Sequence, residues 1–234
     1  MSVLLIDAGN SRIKWQLREQ GRTLRGGSLR YDDQLTETLP QADKVLVAAV
    51  CEAAPLREAL ADRAGVTWLD HTPTAFHGFT HCYPDPSRLG VDRWLAMLGA
   101  RRHQSGPLLV VDAGTALTID LVSADNQHQG GFIVPGLGLA AGALFSNTSR
   151  VRPFDNELHQ GGTEPGQDTL NCVLSGVKRQ QQALVASVVR DYPEHALLLT
   201  GGDGQQLADS VGGRFIADLV FDGMDSLCAG SSLA

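Results

Sequence analysis

Two stretches of this chain place a carboxylate two residues ahead of a glycine at the end of an apolar strand. They are Asp7-Ala8-Gly9-Asn10-Ser11 near the start and Asp112-Ala113-Gly114-Thr115 in the middle. The stretches around them, LLIDAGNSRIKWQL and LLVVDAGTALTIDLV, match at Ile6, Asp7, Ala8, Gly9 and Leu17 against Val111, Asp112, Ala113, Gly114 and Val122. Each reads as strand, tight turn and second strand, with an acid and a free backbone N–H at the tip. Phosphoryl transfer calls for such parts: N–H groups and hydroxyls aimed at phosphate oxygens, and a carboxylate to hold Mg²⁺ directly or through water. Arg12 and Lys14 add two cations to the first copy. A single Asp-x-Gly is equally an Asx turn after a strand. Its repetition points to phosphate and to a protein of two related halves. Neither copy is a P-loop or a dinucleotide fingerprint, because GxxxxGK and GxGxxG are both absent.

Other residues are open to two readings. Asp92-Arg93 sits where a helix begins, so the pair is either a capping acid with an ion-pair partner or a base and a carboxylate-binding arginine. Thr200-Gly201-Gly202-Asp203-Gly204 follows a strand and enters a helix, the shape of a structural turn and of a nucleotide-accepting one. Gly130-Gly131 and Pro135-Gly136 shape a cleft without naming a ligand. His71, His77 and His81 lack metal-site spacing, and there is no GxSxG elbow.

The elements that must position these residues alternate as in an α/β protein. Strands are expected at Val3–Ile6, Ile13–Leu17 with Lys14 and Gln16 outward, Thr23–Tyr31, Val45–Val50, Val66–Leu69, 108–122, 132–134, Ala196–Leu199 and Arg214–Ala217. Helices are expected near Leu35, from Pro55 to Gly65, from Gly90 to His103, over Leu137–Phe145, from Thr169 to just before Pro193, and over Gln205–Val211. Asp70–Arg88 reads as an irregular cleft-lining connection, SADNQHQGG as a polar hairpin turn, and Ser226–Ala234 as frayed.

With 234 residues, 43% hydrophobic and 19% charged, the chain supports its own core. A net charge of -7 excludes a phosphate-backbone reader, which needs a basic face, so no nucleic-acid partner is expected. Cys51, Cys82, Cys172 and Cys228 form no CxxC pair and are expected as buried free thiols. No leader precedes the first strand and no apolar run reaches membrane-spanning length, which predicts a cytoplasmic protein.

Six motifs in order carry a resemblance: DAGNSRIKW, YPDPSRLGVDRW, VDAGTALTIDLV, GGFIVPG, DTLNCVLSG and LLTGGDG. In these the chain resembles the type III pantothenate kinases, also called Bvg accessory factor-like proteins, of the acetate and sugar kinase and actin superfamily. The resemblance runs from the first strand to about Met224. It implies an α/β fold of two duplicated ribonuclease H-like lobes, residues 1–107 and 108–234, with an intervening active-site cleft for ATP. It implies ATP-dependent phosphorylation of pantothenate to 4'-phosphopantothenate, the first step of coenzyme A synthesis. In it Asp7 and Asp112 organise Mg²⁺, and Ala8, Gly9, Asn10, Ser11, Arg12 and Lys14 with Gly114 and Thr115 hold phosphate. Gly201, Gly202 and Gly204 lie toward adenine. Asp92 is the general base, Arg93 binds the pantothenate carboxylate, and Tyr83, Gly90 and Val91 line that pocket. The family is homodimeric and needs K⁺ or NH₄⁺; Asp120 is its candidate cation ligand, and Thr169 reaches the partner's pantothenate. Ser11 stands where a threonine is usual, which keeps the hydroxyl. Competing expectations are another kinase of this superfamily, a polyphosphate hydrolase, or a regulatory accessory protein without kinase activity.

Overall fold

The computed structural model describes residues 1–159 and 161–229. In chain order its elements are β1 (Ser2–Ala8), β2 (Ile13–Glu19), β3 (Arg22–Leu29), α1 (Leu35–Thr38), β4 (Lys44–Ala49), α2 (Ala54–Ala59), β5 (Val66–Leu69), β6 (Ala75–Phe76), β7 (Phe79–His81) and α3 (Val91–His103). There follow β8 (Leu108–Ala113), β9 (Ala116–Val122), β10 (Gln127–Pro135), α4 (Leu137–Asn147), α5 (Thr169–Asp191), β11 (Ala196–Thr200), α6 (Gly204–Val211), β12 (Arg214–Phe215) and α7 (Leu219–Ala229). They pack into two compact units. The first comprises residues 1–105, 122–130 and 218–234, and the second 106–121 and 131–217. Helix α7 and the turn joining β9 to β10 group with the first unit although they lie far along the chain.

In the first unit the strand order is β3-β2-β1-β4-β5. β1 pairs antiparallel with β2 and parallel with β4, and β4 pairs parallel with β5. The order β10-β9-β8-β11-β12 repeats it strand for strand, with β8, β11 and β12 mutually parallel where they pair. The short sequence repeat is therefore the visible end of a duplication of whole sheets, and Asp7 and Asp112 close equivalent strands. Strands buried on both faces, such as Leu4, Leu5 and Ile6 or Leu109, Val110 and Val111, read as continuous apolar runs because helices cover both sides.

Covering the first sheet depends on α7, whose sequence reads only as an apolar finish. It crosses α3 at backbone contact: a Cβ on Gly99 would lie 1.9 Å from the Leu219 carbonyl oxygen, and one on Gly223 2.1 Å from that of Leu95. Trp94, Leu95, Met97 and Leu98 are consequently buried. α7 also explains why β2 does not turn Gln16 outward. Gln16 is buried, and Arg18, at 4% exposure, directs Nη1 to Asp222 Oδ1 at 3.0 Å and Nε to Gln16 Oε1 at 2.8 Å. Asp225 lies 3.7 Å from the same guanidinium. Removing one member of such a buried cluster strands the opposite charges, so Arg18→Ala is expected to cost about 3 kcal/mol and lower Tm by about 10 °C. Thermal unfolding followed by circular dichroism checks this, with unchanged Tm as the contrary result.

Four further expectations are corrected. Asp70–Arg88 is not wholly irregular, because β6 and β7 form a small hairpin there. β10 begins inside the expected polar turn, and His128, paired in register with His81, is fully buried. Helix α7 continues through Ala229, with Ser226 buried, so only the fraying expected for residues 230–234 lies outside the described residues. Cys82, Cys172 and Cys228 are exposed free thiols and Cys51 is half-buried, because Cys51 and Cys82 lie just past strand ends and Cys172 and Cys228 lie on helices rather than in core strands. Among the described residues no helix is long and apolar enough to cross a membrane.

Candidate active site

In the first unit, β1 delivers Asp7 to the mouth of a turn that β2 leaves, and the pair register sets Lys14 opposite Asp7. Asp7 and Gly9 are half-buried, Ala8 is buried, and Asn10, Ser11, Arg12 and Lys14 are exposed. The Gly9 N–H is not available at the tip, as the sequence suggests; it closes the turn by donating to the Arg12 carbonyl at 3.1 Å. A hairpin this tight needs that bond to turn the chain, so contact with a ligand falls to residues 10–12. Beneath the turn, the Tyr31 hydroxyl donates to the Gly9 carbonyl at 2.8 Å and lies 3.1 Å from Cys51 Sγ. Burial, the Cys51 contact and the Asp7 carboxylate together push the Tyr31 phenol above its ordinary pKa.

The second group of predicted residues gathers at the start of α3. Gly90 is the N-cap, Val91 begins the helix and Asp92 occupies its first turn, where Asp92 Oδ1 accepts from the Arg93 N–H at 2.7 Å. A Cβ on Gly90 would lie 2.6 Å from the same oxygen, so glycine there leaves room for the carboxylate. Arg93 is 6% exposed and donates through Nη1 to the Tyr83 hydroxyl at 3.0 Å. Tyr83 in turn stacks on His128, with ring centroids 6.0 Å apart and planes 16° from parallel. The helix start thus holds a half-buried carboxylate at its positive end beside an arginine seated on an aromatic platform.

One cavity of about 470 Å³ opens at the start of α3 and reaches the end of β4. Val50 and Cys51 line it from the end of β4, Leu89, Gly90 and Val91 from the start of α3, and Arg57, Asp70, His71 and Arg88 from its rim. Its size suits a small organic acid. The β4 side reaches the Asp7 turn because β4 runs parallel to β1 with Ala8 opposite Ala49, and Val50 N–H donates to the Ala8 carbonyl at 3.2 Å.

In the second unit three glycine turns meet around Asp112. The Gly114 N–H donates to the Ala116 carbonyl at 3.0 Å, so this N–H too closes its own turn. Gly136 donates to the Thr115 carbonyl at 2.9 Å, and a Cβ on it would lie 2.1 Å from the Gly114 oxygen. Gly201 adopts φ +92°, and its Cβ would lie 2.4 Å from both the Ala113 oxygen and Asp112 Oδ1. Only glycine fits that conformation and that gap. Gly201→Ala is expected to displace the Asp112 carboxylate and cost about 2 kcal/mol of stability, lowering Tm by about 6 °C. Thermal unfolding decides it, and an unchanged Tm counts against a junction that only glycine fits. Gly202 is exposed and Gly204 opens α6. Thr115 is exposed, whereas Asp120 is buried on β9 and faces Gly131, whose Cβ would lie 2.9 Å from Asp120 Oδ1. Thr169 starts α5, capped by Asp168 and by Glu157, which accepts from the Thr169 and Leu170 N–H groups at 3.3 and 3.0 Å.

By unit, Asp7–Lys14, Tyr83, Gly90, Val91, Asp92 and Arg93 belong to the first, and Asp112, Gly114, Thr115, Gly201, Gly202 and Gly204 to the second. Tyr31, Cys51 and His128 were not singled out by type or spacing. The available signal was the parallel pairing of β1 and β4, which sets Cys51 just past the Asp7 turn. Among the described residues no group of three or more His, Cys, Asp and Glu side chains forms a metal cluster.

A family model for type III pantothenate kinase matches residues 3–191. The chain belongs to the type III pantothenate kinase family. It is 35% identical to the type III pantothenate kinase of Marinobacter nauticus, over 99% of this chain and 100% of that one. It is 34% identical to that of Pseudomonas aeruginosa, over 97% and 98%. Among solved structures it resembles a Campylobacter jejuni protein of the Baf family, with a TM-score of 0.68, 26% identity and coverage of 97% and 98%. A Streptomyces griseus ROK family glucokinase superposes with a TM-score of 0.56 at 12% identity over 99% and 100% of the two chains, a likeness of fold alone. As a type III pantothenate kinase, the chain has the duplicated α/β sheets of the sugar-kinase and actin-like fold.

Proposed function

We infer that this protein transfers the γ-phosphoryl group of ATP to the primary hydroxyl of pantothenate, giving 4'-phosphopantothenate at the entry to coenzyme A synthesis in the cytoplasm. The observation that carries this reading is the start of α3. There Asp92 and Arg93, the latter bonded to Tyr83, directly follow Gly90 and Val91, which line a cavity of about 470 Å³ that also touches Cys51, under the Asp7 turn. Asp92 accepts the hydroxyl proton, and Arg93, with its guanidinium on Tyr83, receives the pantothenate carboxylate as a charge-assisted pair. Gly90 and Val91 line the acceptor's path. Residues Asn10, Ser11, Arg12 and Lys14 hold phosphate oxygens from the first turn, with Ala8 and Gly9 shaping it, and Gly114 and Thr115 do so from the second. Gly201, Gly202 and Gly204 lie toward the adenosine.

The donor set also suits two cations. Asp7 and Asp112 are hard oxygen donors at the ends of equivalent strands and would hold Mg²⁺, in part through water, which supplies charge compensation for the phosphates when bound. Asp120, a buried carboxylate beside Gly131, is the candidate ligand for K⁺ or NH₄⁺. A homodimer is supported by the exposed apolar side chains of Phe132, Ile133, Leu139, Leu144, Phe154 and Leu158 in the second unit. Thr169, at the head of α5, then serves the partner's pantothenate pocket.

The test is ATP-dependent phosphorylation of pantothenate by the purified protein, with and without K⁺ or NH₄⁺, with the product read by mass and the oligomer by light scattering. Phosphopantothenate formed only with the monovalent cation, by a dimer, supports the whole reading. Absence of product from folded protein in both conditions overturns it.

A further inference from the structure

We propose that Tyr31 is a positioning residue for nucleotide binding: from inside the fold its hydroxyl fixes the Gly9–Asn10 peptide so that the Asn10 N–H points out toward the ATP phosphates. This deepens the reading above and rests on its assignment of the first turn to phosphate.

The geometry begins with the Gly9 carbonyl, which accepts from the Tyr31 hydroxyl at 2.8 Å. The peptide that follows is planar and trans, as among the described residues no cis bond occurs, so the Asn10 N–H is directed opposite to the Gly9 oxygen. Gly9 is half-buried and Asn10 is exposed. Anchoring the oxygen on the inner side thus commits the donor to the outer side. Without that anchor the peptide is free to rotate its dipole, and a phosphate meets a carbonyl as readily as an N–H.

Tyr31 itself is held in turn. A phenol has one proton, and here it goes to Gly9; Cys51 Sγ lies 3.1 Å from the phenolic oxygen and 3.7 Å from the same Gly9 carbonyl oxygen, so both side chains pack on one junction. The Tyr31 ring packs against the apolar cluster of the first sheet, whose members include Ile13 and Leu35. Burial, the Cys51 contact and the Asp7 charge all raise the phenol's pKa, so the donor stays protonated. Neither Tyr31 nor Cys51 takes part in the chemistry assigned above. Tyr31 arrives from the segment after β3 and Cys51 from the end of β4, so a shared task at one carbonyl gives their meeting a purpose that packing alone does not.

Tyr31→Phe removes one oxygen and leaves the ring in place. Binding of a non-hydrolysable ATP analogue with Mg²⁺, measured by calorimetry, is expected to weaken about fivefold, the effect of one neutral hydrogen bond. The KM for pantothenate stays within about twofold and Tm falls by no more than about 4 °C. Tyr192→Phe makes the same deletion at an exposed tyrosine after α5 and leaves nucleotide affinity unchanged. Unchanged affinity in Tyr31→Phe overturns the inference. So does an equal loss for analogue and pantothenate, which marks a general loosening of the unit, and so does an equal loss in Tyr192→Phe. Because the readout is nucleotide binding, it separates the two claims: unsubstituted protein that binds the analogue but does not phosphorylate pantothenate defeats the function proposed above and leaves this comparison to be judged on its own. Unsubstituted protein that does not bind the analogue defeats both.

Discussion

Asp92→Asn is expected to lower kcat by at least about 100-fold while the KM for pantothenate changes by less than about threefold, the size and pattern of a lost general base. Asparagine keeps the shape and an acceptor oxygen for the Arg93 N–H, which Asp92 Oδ1 now engages at 2.7 Å, so the start of α3 should survive. What it loses is a place for the proton. In a loose phosphoryl transfer the attacking hydroxyl becomes acidic only late, when its bond to phosphorus is forming. A carboxylate can then take the proton, whereas an amide cannot accept it at any stage. The rest of the rate enhancement, from fixed phosphates and compensated charge, remains in the variant. Steady-state kinetics in both substrates provide the check, with unchanged turnover removing the base from Asp92.

Arg93→Ala is expected to act on the other constant. The guanidinium is 6% exposed and is oriented by the Tyr83 hydroxyl at 3.0 Å, while Tyr83 is backed by the fully buried His128. An arginine held this way meets a carboxylate without first losing side-chain freedom, which makes the pair stronger than a surface contact. Its removal should raise the KM for pantothenate about 30-fold, the effect of roughly 2 kcal/mol from a charged hydrogen bond, with kcat at saturation falling much less. Arg93→Lys should recover only part of the loss, because an ammonium lacks the planar fork and sits less well on Tyr83. Direct binding of pantothenate measured by calorimetry separates affinity from chemistry. Equal affinity in the two proteins would sink the assignment of Arg93 to the carboxylate.

The sequence by itself determined the parts with strong local signals. Apolar runs ending in Asp7 and Asp112 mark β1 and β8, since strands covered on both faces must be apolar throughout. Thr169 as the first residue of α5 follows from Asp168, a side chain suited to capping, ahead of a long helical period. The placing of Asp92 in the first turn of α3 was legible for the same reason. Motif order across the whole length settled the family.

Tertiary structure alone decided what depends on residues far apart in the chain. That α7 returns to cover the first sheet is a packing result: Gly99 and Gly223 are unremarkable as letters, and only their helices' crossing shows why neither can carry a side chain. Gln16 reads as outward-facing, yet it is buried under Arg18, whose guanidinium finds its partner in Asp222, some 200 residues later. The Gly9 and Gly114 N–H groups, which spacing leaves open for phosphate, are spent inside their turns, because hairpin closure is decided by backbone geometry rather than residue type. Tyr31, Cys51 and His128 gained their roles only through strand pairing and stacking. Local pattern records propensity and burial period; which distant polar groups share a hydrogen bond is set by register and by the order of strands in the sheet.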